Sequence, residues 1–300
     1  MTISIDLTKV KGIDMHVHCE IDDQGHTALP QDFLDASAAY FKAGERTPSI
    51  AQIGERYRDL DLAAVIFTVD AEHKLGHRRI TNEDVIASAA EFPDVFIPFA
   101  SIDPHRGEEG VAELRALVEA GRVHGLKLHP SLQEFAPNDG TAFGLFEVLS
   151  EHRLPAIFHT GQTGIGAGMP GGGGIKLRYS DPMLLDDVCA DFPDLTVIMA
   201  HPSVPWQDQA ISIATHKPNA YIDLSGWSPK YFPPQLVRAI NGLLRKKVLF
   251  ATDNPVIDPE RWMADFDRLE LKDGVRELVM KDNAARVLGL SAGAAPKETR

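Results

Sequence analysis

The chain has little of what marks secreted, disulfide-stapled or membrane-spanning proteins. Its 300 residues include only two cysteines, Cys19 and Cys189, which excludes a disulfide framework and a cysteine-rich zinc site. No apolar stretch approaches the roughly 20 residues that cross a bilayer, so we expect no membrane partner. The N-terminus lacks the basic and apolar regions of a secretory signal, and the expected location is therefore the cytoplasm.

Positive charge is also scarce. Thirty Lys and Arg residues stand against 43 Asp and Glu residues, which gives a formal net charge of −13 at pH 7. Such a surface repels phosphate backbones, so we expect no nucleic-acid partner. The expected partner is a small-molecule substrate, and an anionic one needs local positive charge. The sequence leaves a monomer and a homo-oligomer equally open.

Short apolar runs and helix-like segments alternate along the chain. Eight β-like runs cover residues 12–18, 63–70, 95–104, 125–130, 155–161, 196–202, 220–226 and 248–255. Helices are predicted at 29–41, 49–60, 108–120, 141–152, 206–216, 234–244 and 275–288. This alternation is typical of a parallel sheet covered by helices. We predict an α/β fold, a (β/α)₈ TIM barrel that forms a single domain over residues 1–300 with long loops at its C-terminal face, and an open doubly wound sheet as the alternative.

Polar side chains close five of these apolar runs, in a fixed order along the chain. They are His16 and His18, Lys127, His159, His201 and Asp253. Residues on the first and last strands can meet only if the sheet closes, which favours the barrel over the open sheet. The C-terminal ends of the strands form the face on which barrel enzymes build their active sites.

The His-x-His pair of the first strand indicates a metal site. Side chains two apart share a face of a strand, so we expect His16, His18 and the preceding Asp14 to point inward, with Asp14 deeper than the two histidines. Imidazole and carboxylate ligands suit Zn²⁺ best, and Mn²⁺, Fe²⁺, Co²⁺ and Ni²⁺ stay open. The predicted cofactor is one or two divalent ions, most simply Zn²⁺, with no organic cofactor.

Three further residues are predicted to contact the substrate. His129 shares the strand face of Lys127, Arg178 could hold a carboxylate in a bidentate contact, and Trp227 could wall a ring-shaped pocket. The glycine-rich stretch 161–174 directly follows His159, and we expect it to act as a lid that orders when substrate binds.

Together these motifs resemble the amidohydrolase superfamily, in the branch that contains aminocarboxymuconate semialdehyde decarboxylase, resorcylate-type decarboxylases and lactone hydrolases. The resemblance covers residues 12 to about 290, including a terminal Asn-Ala-Ala-Arg-Val-Leu-Gly segment. It implies that His16, His18, His159 and Asp253 bind metal. It also implies that His201 is either a ligand of a second metal or a proton-transfer residue.

Lys127 decides which reaction the sequence favours. In binuclear hydrolases of the superfamily, a lysine at the fourth strand takes up CO₂ and bridges two metals as a carbamate, so Lys127 is a predicted ligand. The sequence prediction is a metal-dependent hydrolase of a small, anionic cyclic ester or amide, with Asp253, His201 and Lys127 as catalytic residues. The alternative is a non-oxidative decarboxylase of an aromatic or muconate-like acid, in which Lys127 anchors a carboxylate. A third interpretation is a barrel that binds a metal or small molecule without turnover.

Overall fold

The computed structural model describes residues 3–41 and 47–290, and all strand pairs within them are parallel. The strands are β1 (Gly12–His18), β2 (Leu62–Phe67), β3 (Phe96–Pro98), β4 (Ala100–Ser101), β5 (Leu126–Leu128), β6 (Pro155–His159), β7 (Thr196–Ala200), β8 (Ala220–Asp223) and β9 (Val248–Leu249). β3 and β4 are two parts of one predicted strand, interrupted at Phe99. The predicted eight-strand pattern is thereby confirmed.

Helices lie between successive strands along the chain and after the last strand. They are α1 (Gln31–Phe41), α2 (Ile50–Asp59), α3 (Glu72–Leu75), α4 (Asn82–Ala89), α5 (Gly107–Glu119), α6 (Pro130–Gln133), α7 (Phe143–His152), α8 (Leu184–Asp191), α9 (Gln207–His216), α10 (Pro234–Ile240), α11 (Pro259–Phe266), α12 (Val275–Glu277) and α13 (Asn283–Val287). Short single turns cover Pro104–Arg106, Pro170–Gly174, Leu177–Ser180 and Pro229–Tyr231, and a wide turn over Leu278–Asp282 interrupts the predicted helix 275–288. Within the described ranges, no helix has the length and apolar character needed to span a membrane.

Hydrogen bonds at two seams close the sheet into a barrel. The Phe99 amide donates to the carbonyl of Ile66 at 2.9 Å and so continues the sheet from β2 across the break between β3 and β4. On the other side, Val17 pairs with Asn254, and the Met15 amide donates to the Phe250 carbonyl at 3.0 Å. The first and last strands are therefore neighbours, which confirms the (β/α)₈ prediction.

Alternation along the strands separates two hydrophobic cores. Ile157, Ile198 and Leu249 belong to a cluster of inward side chains that fills the barrel. Leu126 and Leu128 belong to a larger cluster between the strands and the helices. A filled barrel leaves room for chemistry only at its ends. Since His159 lies two residues beyond Ile157 on the same strand face, the predicted ligands stand directly over this packed interior.

An aspartate caps the start of α11. The Asp258 carboxylate accepts from the amides of Glu260 and Arg261 at 3.0 and 3.2 Å, with Pro259 opening α11. α11 is the next helix after β9, and Asp253 lies in the connection between them, so this cap fixes the far end of that connection. The elements run from Gly12 to Val287 around one barrel, and the predicted single domain over residues 1–300 reaches beyond the part that the structure describes.

Candidate metal centre

A bulge in β1 decides which of its side chains face the barrel mouth. Asp14 pairs with Ala64 and Val17 with Ile66, so β1 carries one more residue than β2 between these two pairs. The extra residue reverses the alternation, and Asp14 lies on the opposite face from His16. The expectation that both side chains point inward is therefore wrong, because strand alternation holds only where no bulge intervenes.

The Asp14 carboxylate instead connects β1 to the helix layer and to the end of β9. It accepts from the Tyr57 hydroxyl of α2 at 2.7 Å, and from the hydroxyl and amide of Thr252 at 2.6 and 3.0 Å. Burial raises the pKa of Asp14 to about 6, against the effect of these hydrogen bonds. Since Thr252 directly precedes Asp253, Asp14 fixes the position of that residue relative to β1.

Barrel closure brings His16, His18 and Asp253 together. The Nε2 atoms of the two histidines are 3.1 Å apart, and Asp253 Oδ1 lies 3.2 Å from His16 Nε2 and 3.1 Å from His18 Nε2. The ligand atoms of all three residues lie within 4.8 Å of one another. Two imidazoles and one carboxylate are a donor set that divalent metals take.

Hydrogen bonds behind His16 determine which of its ring nitrogens carries the proton. Its Nδ1 lies 2.9 Å from Asp223 Oδ2 and 3.0 Å from Ser225 Oγ. A carboxylate only accepts, so Nδ1 donates, and Nε2 keeps its lone pair on the side of His18. Sequence analysis missed Asp223. Its signal was an aspartate at the end of an apolar run, the same pattern that identified Asp253.

The same reasoning assigns the protons of His201 and His159. His201 Nδ1 lies 3.1 Å from the carbonyl oxygen of Ser225, which can only accept, so His201 Nδ1 donates. Its Nε2 then accepts from His159 Nδ1 at 2.9 Å. His159 Nε2 is left with a lone pair, buried and without a partner among the described residues. An imidazole whose second nitrogen is fixed in this way is typical of a metal ligand, so the donors present fit a divalent ion.

The charges around the cluster favour an added cation. Burial and Lys127 act to lower the pKa of His16, but the carboxylates of Asp223 and Asp253 outweigh them and raise it. Burial lowers the pKa of His18 to about 4, so this ring is neutral at pH 7 and offers a lone pair. Although burial opposes it, the neighbouring histidines hold the pKa of Asp253 well below its usual range. The ionised Asp253 carboxylate thus meets the neutral nitrogen of His18 in a buried place, with the Asp223 carboxylate behind His16.

Lys127 contributes an ammonium group beside this cluster. Its side chain is fully buried, and Nζ lies 3.0 Å from His16 Nε2 and 5.0 Å from the centre of the Phe67 ring. In the described ranges no carboxylate forms an ion pair with Nζ. Burial lowers the pKa of Lys127 to about 8, although the nearby carboxylates of Asp223 and Asp253 act to raise it. A buried amine that no carboxylate contacts directly creates a place for a negatively charged ligand.

A cavity of about 1090 Å³ reaches the cluster. The predicted ligands that line it are His18, Lys127, His159, His201 and Asp253. Of the predicted substrate contacts, His129 and Trp227 also line the cavity. Arg178 does not: it is exposed, and its guanidinium lies 4.9 Å from the centre of the Tyr179 ring. Among the described residues, the arginine that lines the cavity is Arg261 of α11, which sequence analysis did not identify.

The glycine-rich stretch 161–174 forms one wall of the cavity. Gln162, Thr163 and Ile165 line it. Ile165 and Met169 also pack against a small apolar cluster that includes Leu29 and Phe33. These contacts position the loop over the strand ends. Its ordering by substrate stays a prediction.

The turns that carry His201 and Asp253 have strained backbone, and Gly226 packs against both side chains. His201 and Asp253 adopt φ angles of 69° and 66°, which L-residues rarely take and which cluster at functional sites. A Cβ on Gly226 would lie 2.7 Å from His201 Nδ1 and 3.2 Å from Asp253 Oδ2. Only glycine therefore fits at this position.

Gly226→Ala tests this fit, with Gly274→Ala as its matched control. Their φ angles are similar, 72° and 76°, but a Cβ on Gly274 would meet nothing within 4 Å. We expect both variants to lose about 1 kcal/mol of unfolding free energy from the positive φ, measured by urea denaturation. Only Gly226→Ala should also lose bound metal, measured by elemental analysis. Equal metal content in both variants would contradict the role of Gly226.

The sequence matches the model of one protein family, described as Amidohydrolase, over residues 13–290. No curated protein matches the sequence. The structure is similar to an uncharacterised TIM-barrel protein from Bordetella bronchiseptica, with a TM-score of 0.75, 23% identity, and coverage of 93% of this chain and 98% of the other.

Two decarboxylases share the fold at lower identity. One is 2,6-dihydroxybenzoate decarboxylase from Rhizobium, with a TM-score of 0.67, 13% identity, and coverage of 93% of this chain and 99% of the other. The other is 5-carboxyvanillate decarboxylase from Novosphingobium aromaticivorans, solved with bound manganese, with a TM-score of 0.65, 11% identity, and coverage of 97% and 100%. At these identities the likeness shows the fold.

Proposed function

The chain belongs to the amidohydrolase family, and we propose that it is a metal-dependent decarboxylase that releases CO₂ from an aromatic or muconate-like carboxylic acid. The sequence alone favoured a hydrolase, with a decarboxylase as the alternative. We now favour the decarboxylase. Structural relatives that are decarboxylases support it. The observation that carries it is the buried Lys127 amine, which lies beside the metal-ligand cluster with no carboxylate of the described residues in direct contact.

The proposed metal site consists of His16, His18, His159 and Asp253. Their nitrogen and oxygen donors suit a single divalent ion. Zinc was the sequence prediction, and manganese is the ion bound in one relative. When bound, such an ion polarises and holds an oxygen of the substrate. Asp223 supports this site by fixing the proton on His16 Nδ1.

Decarboxylation requires the protein to hold an acid and supply one proton. The carbon–carbon bond to the carboxylate breaks, CO₂ leaves, and a proton replaces it on the carbon. We assign the anchoring of an anionic substrate oxygen to the Lys127 ammonium. We assign proton transfer to His201 Nε2, since this ring lines the cavity and burial keeps it neutral, with a pKa of about 4. To carry the proton, this nitrogen has to give up the hydrogen bond that it accepts from His159 Nδ1. Negative charge on a bound acid favours protonation of this ring.

Product analysis tests the proposal. A panel of aromatic acids, muconate-like acids and small lactones is incubated with protein supplied with Mn²⁺ or Zn²⁺. We expect CO₂ from at least one acid and no ring opening of the lactones. Ring-opened acid from a lactone, without CO₂ from any acid of the panel, would contradict the proposal.

Hydrolysis of a lactone or cyclic amide is the second candidate, and one property of Lys127 favours it. Only a neutral amine takes up CO₂ as a carbamate, and burial lowers the pKa of Lys127 to about 8, so the neutral fraction near neutrality is larger than for an ordinary lysine. A carbamate there would offer two oxygens to a pair of metals about 3.5–4 Å apart. The hydrolase therefore requires two metal equivalents, whereas the decarboxylase requires one.

A further inference from the structure

One buried hydrogen-bond donor of a cavity-lining residue has no acceptor among the residues that the structure describes. His129 follows β5, lines the cavity and is 2% exposed. Its Nε2 is buried and has no hydrogen-bond partner among the described residues. Buried polar atoms are nearly always paired, so an unpaired one in a cavity indicates a group that a ligand satisfies.

Local geometry shows that this nitrogen carries a proton. The backbone amide of Leu132 donates to His129 Nδ1 at 3.2 Å, because the His129 side chain caps the start of α6. A nitrogen that accepts a hydrogen bond holds a lone pair, so the ring has its only proton on Nε2. His129 is therefore a neutral donor, and Nε2 has no lone pair to offer a metal. This distinguishes it from His159, whose unpaired Nε2 is an acceptor.

The ring is held rigidly in this state. The His129 amide donates to Gln133 Oε1 at 2.7 Å, and Gln133 Nε2 donates to the carbonyls of Asp70 and Ile102 at 2.7 and 3.2 Å. The imidazole stacks on His159 with ring centres 3.8 Å apart and planes at 7°. Donors fixed before the reaction stabilise developing charge without the cost of reorganisation.

We propose that His129 Nε2–H donates to the substrate oxygen that becomes negatively charged when the bond to CO₂ breaks. The electron pair of that bond moves into the conjugated system and onto the oxygen, while CO₂ leaves. Protonation of the carbon then returns the pair from the oxygen. The substrate class is accordingly an acid whose carboxylate is conjugated to a carbonyl or phenolic oxygen. This inference rests on the proposed decarboxylase function and assigns His129 as a further catalytic residue.

Two variants separate the donor from the helix cap. His129→Asn keeps an oxygen that can accept from the Leu132 amide but places no nitrogen at the position of Nε2. His129→Gln places an amide donor farther out and gives up the cap. With the acid that is decarboxylated best, we expect His129→Asn to lower kcat by about 10²–10³-fold with little change in KM. His129→Gln should recover part of kcat despite a lower Tm.

Two measurements test the donor role of His129 without catalytic turnover of a substrate. In ¹⁵N spectra of the metal-loaded protein, we expect His129 to carry its proton on Nε2. We use 2-nitroresorcinol as a probe because its visible absorbance reports whether its phenol is ionised. The pKa of the bound phenol should be higher in His129→Asn than in the wild type, since the ionised oxygen loses its donor.

Several results would overturn the role of His129. They are a proton on Nδ1 or a metal-bound Nε2, equal phenol pKa values in the two proteins, a probe that does not bind saturably, and a wild-type kcat in His129→Asn. If the loss of kcat in each variant is proportional to its loss of Tm, His129 has a structural role only. If no acid releases CO₂ while the spectra and the probe behave as expected, the decarboxylase proposal fails and the donor role of His129 stands.

Discussion

His16→Ala and Asp253→Ala should each reduce bound metal to a small fraction of the wild-type value and lower kcat by at least about 10³-fold. Each substitution removes one of the three ligand atoms that lie within 4.8 Å of one another. No other described group of three or more His, Cys, Asp or Glu residues is close enough to replace them. Elemental analysis and activity with the best substrate measure the two effects.

Two further variants make this test specific. His216→Ala changes an exposed histidine at the end of α9 and should leave metal content and activity unchanged. Asp223→Asn leaves the ligands in place but alters the group that fixes the His16 proton, so metal affinity should fall by about 10–100-fold. Unchanged metal content in both His16→Ala and Asp253→Ala would show that the ion binds elsewhere.

Lys127→Met should weaken substrate binding without removing metal. Methionine keeps most of the side-chain volume in the buried strand, so the variant mainly removes the amine. The loss of a charge-assisted hydrogen bond costs about 1.5–3 kcal/mol, which corresponds to a rise in KM of about 10–150-fold. Steady-state kinetics measure the change, and Lys9→Met is the control, since the Lys9 side chain is 80% exposed and does not line the cavity.

The hydrolase makes the opposite prediction for the same residue. If Lys127 bridges two metals as a carbamate, its substitution removes one metal equivalent and most of kcat. Short carboxylic acids such as acetate should then partly restore activity to Lys127→Ala by replacing the carbamate oxygens. Rescue of this kind would favour the hydrolase over the decarboxylase.

The sequence predicted the barrel because its signals are local. The strands are short apolar runs, most of them followed within a few residues by Gly or Pro, and polar residues at five strand ends identify the C-terminal face. Closure of the sheet was predicted from the expected metal site. His16 and Asp253 lie on the first and last strands and can share a metal only in a closed sheet. In the structure these two strands are neighbours, as predicted, and the Asp253 amide donates to the His16 carbonyl at 3.0 Å.

Features that depend on cross-strand register were not predictable in this way. The bulge in β1 that turns Asp14 away from His16 is visible only in the pairing with β2. Asp223 ends an apolar run much as Asp253 does. Only the three-dimensional structure shows that Asp223 contacts His16 Nδ1. Arg178 was predicted at the cavity because it follows the glycine-rich loop. The path of that loop depends on contacts of Ile165 and Met169 with distant residues, which no sequence pattern encodes.

Metal stoichiometry of the wild-type protein, purified without chelator, tests the central claim most directly. A mononuclear decarboxylase should hold one divalent ion per chain, and the count should not change when dissolved CO₂ is removed from the buffer. Two ions per chain, with one lost on removal of CO₂, would contradict the account and identify Lys127 as a carbamate. No bound ion and full activity in chelator would contradict both reactions that require a metal.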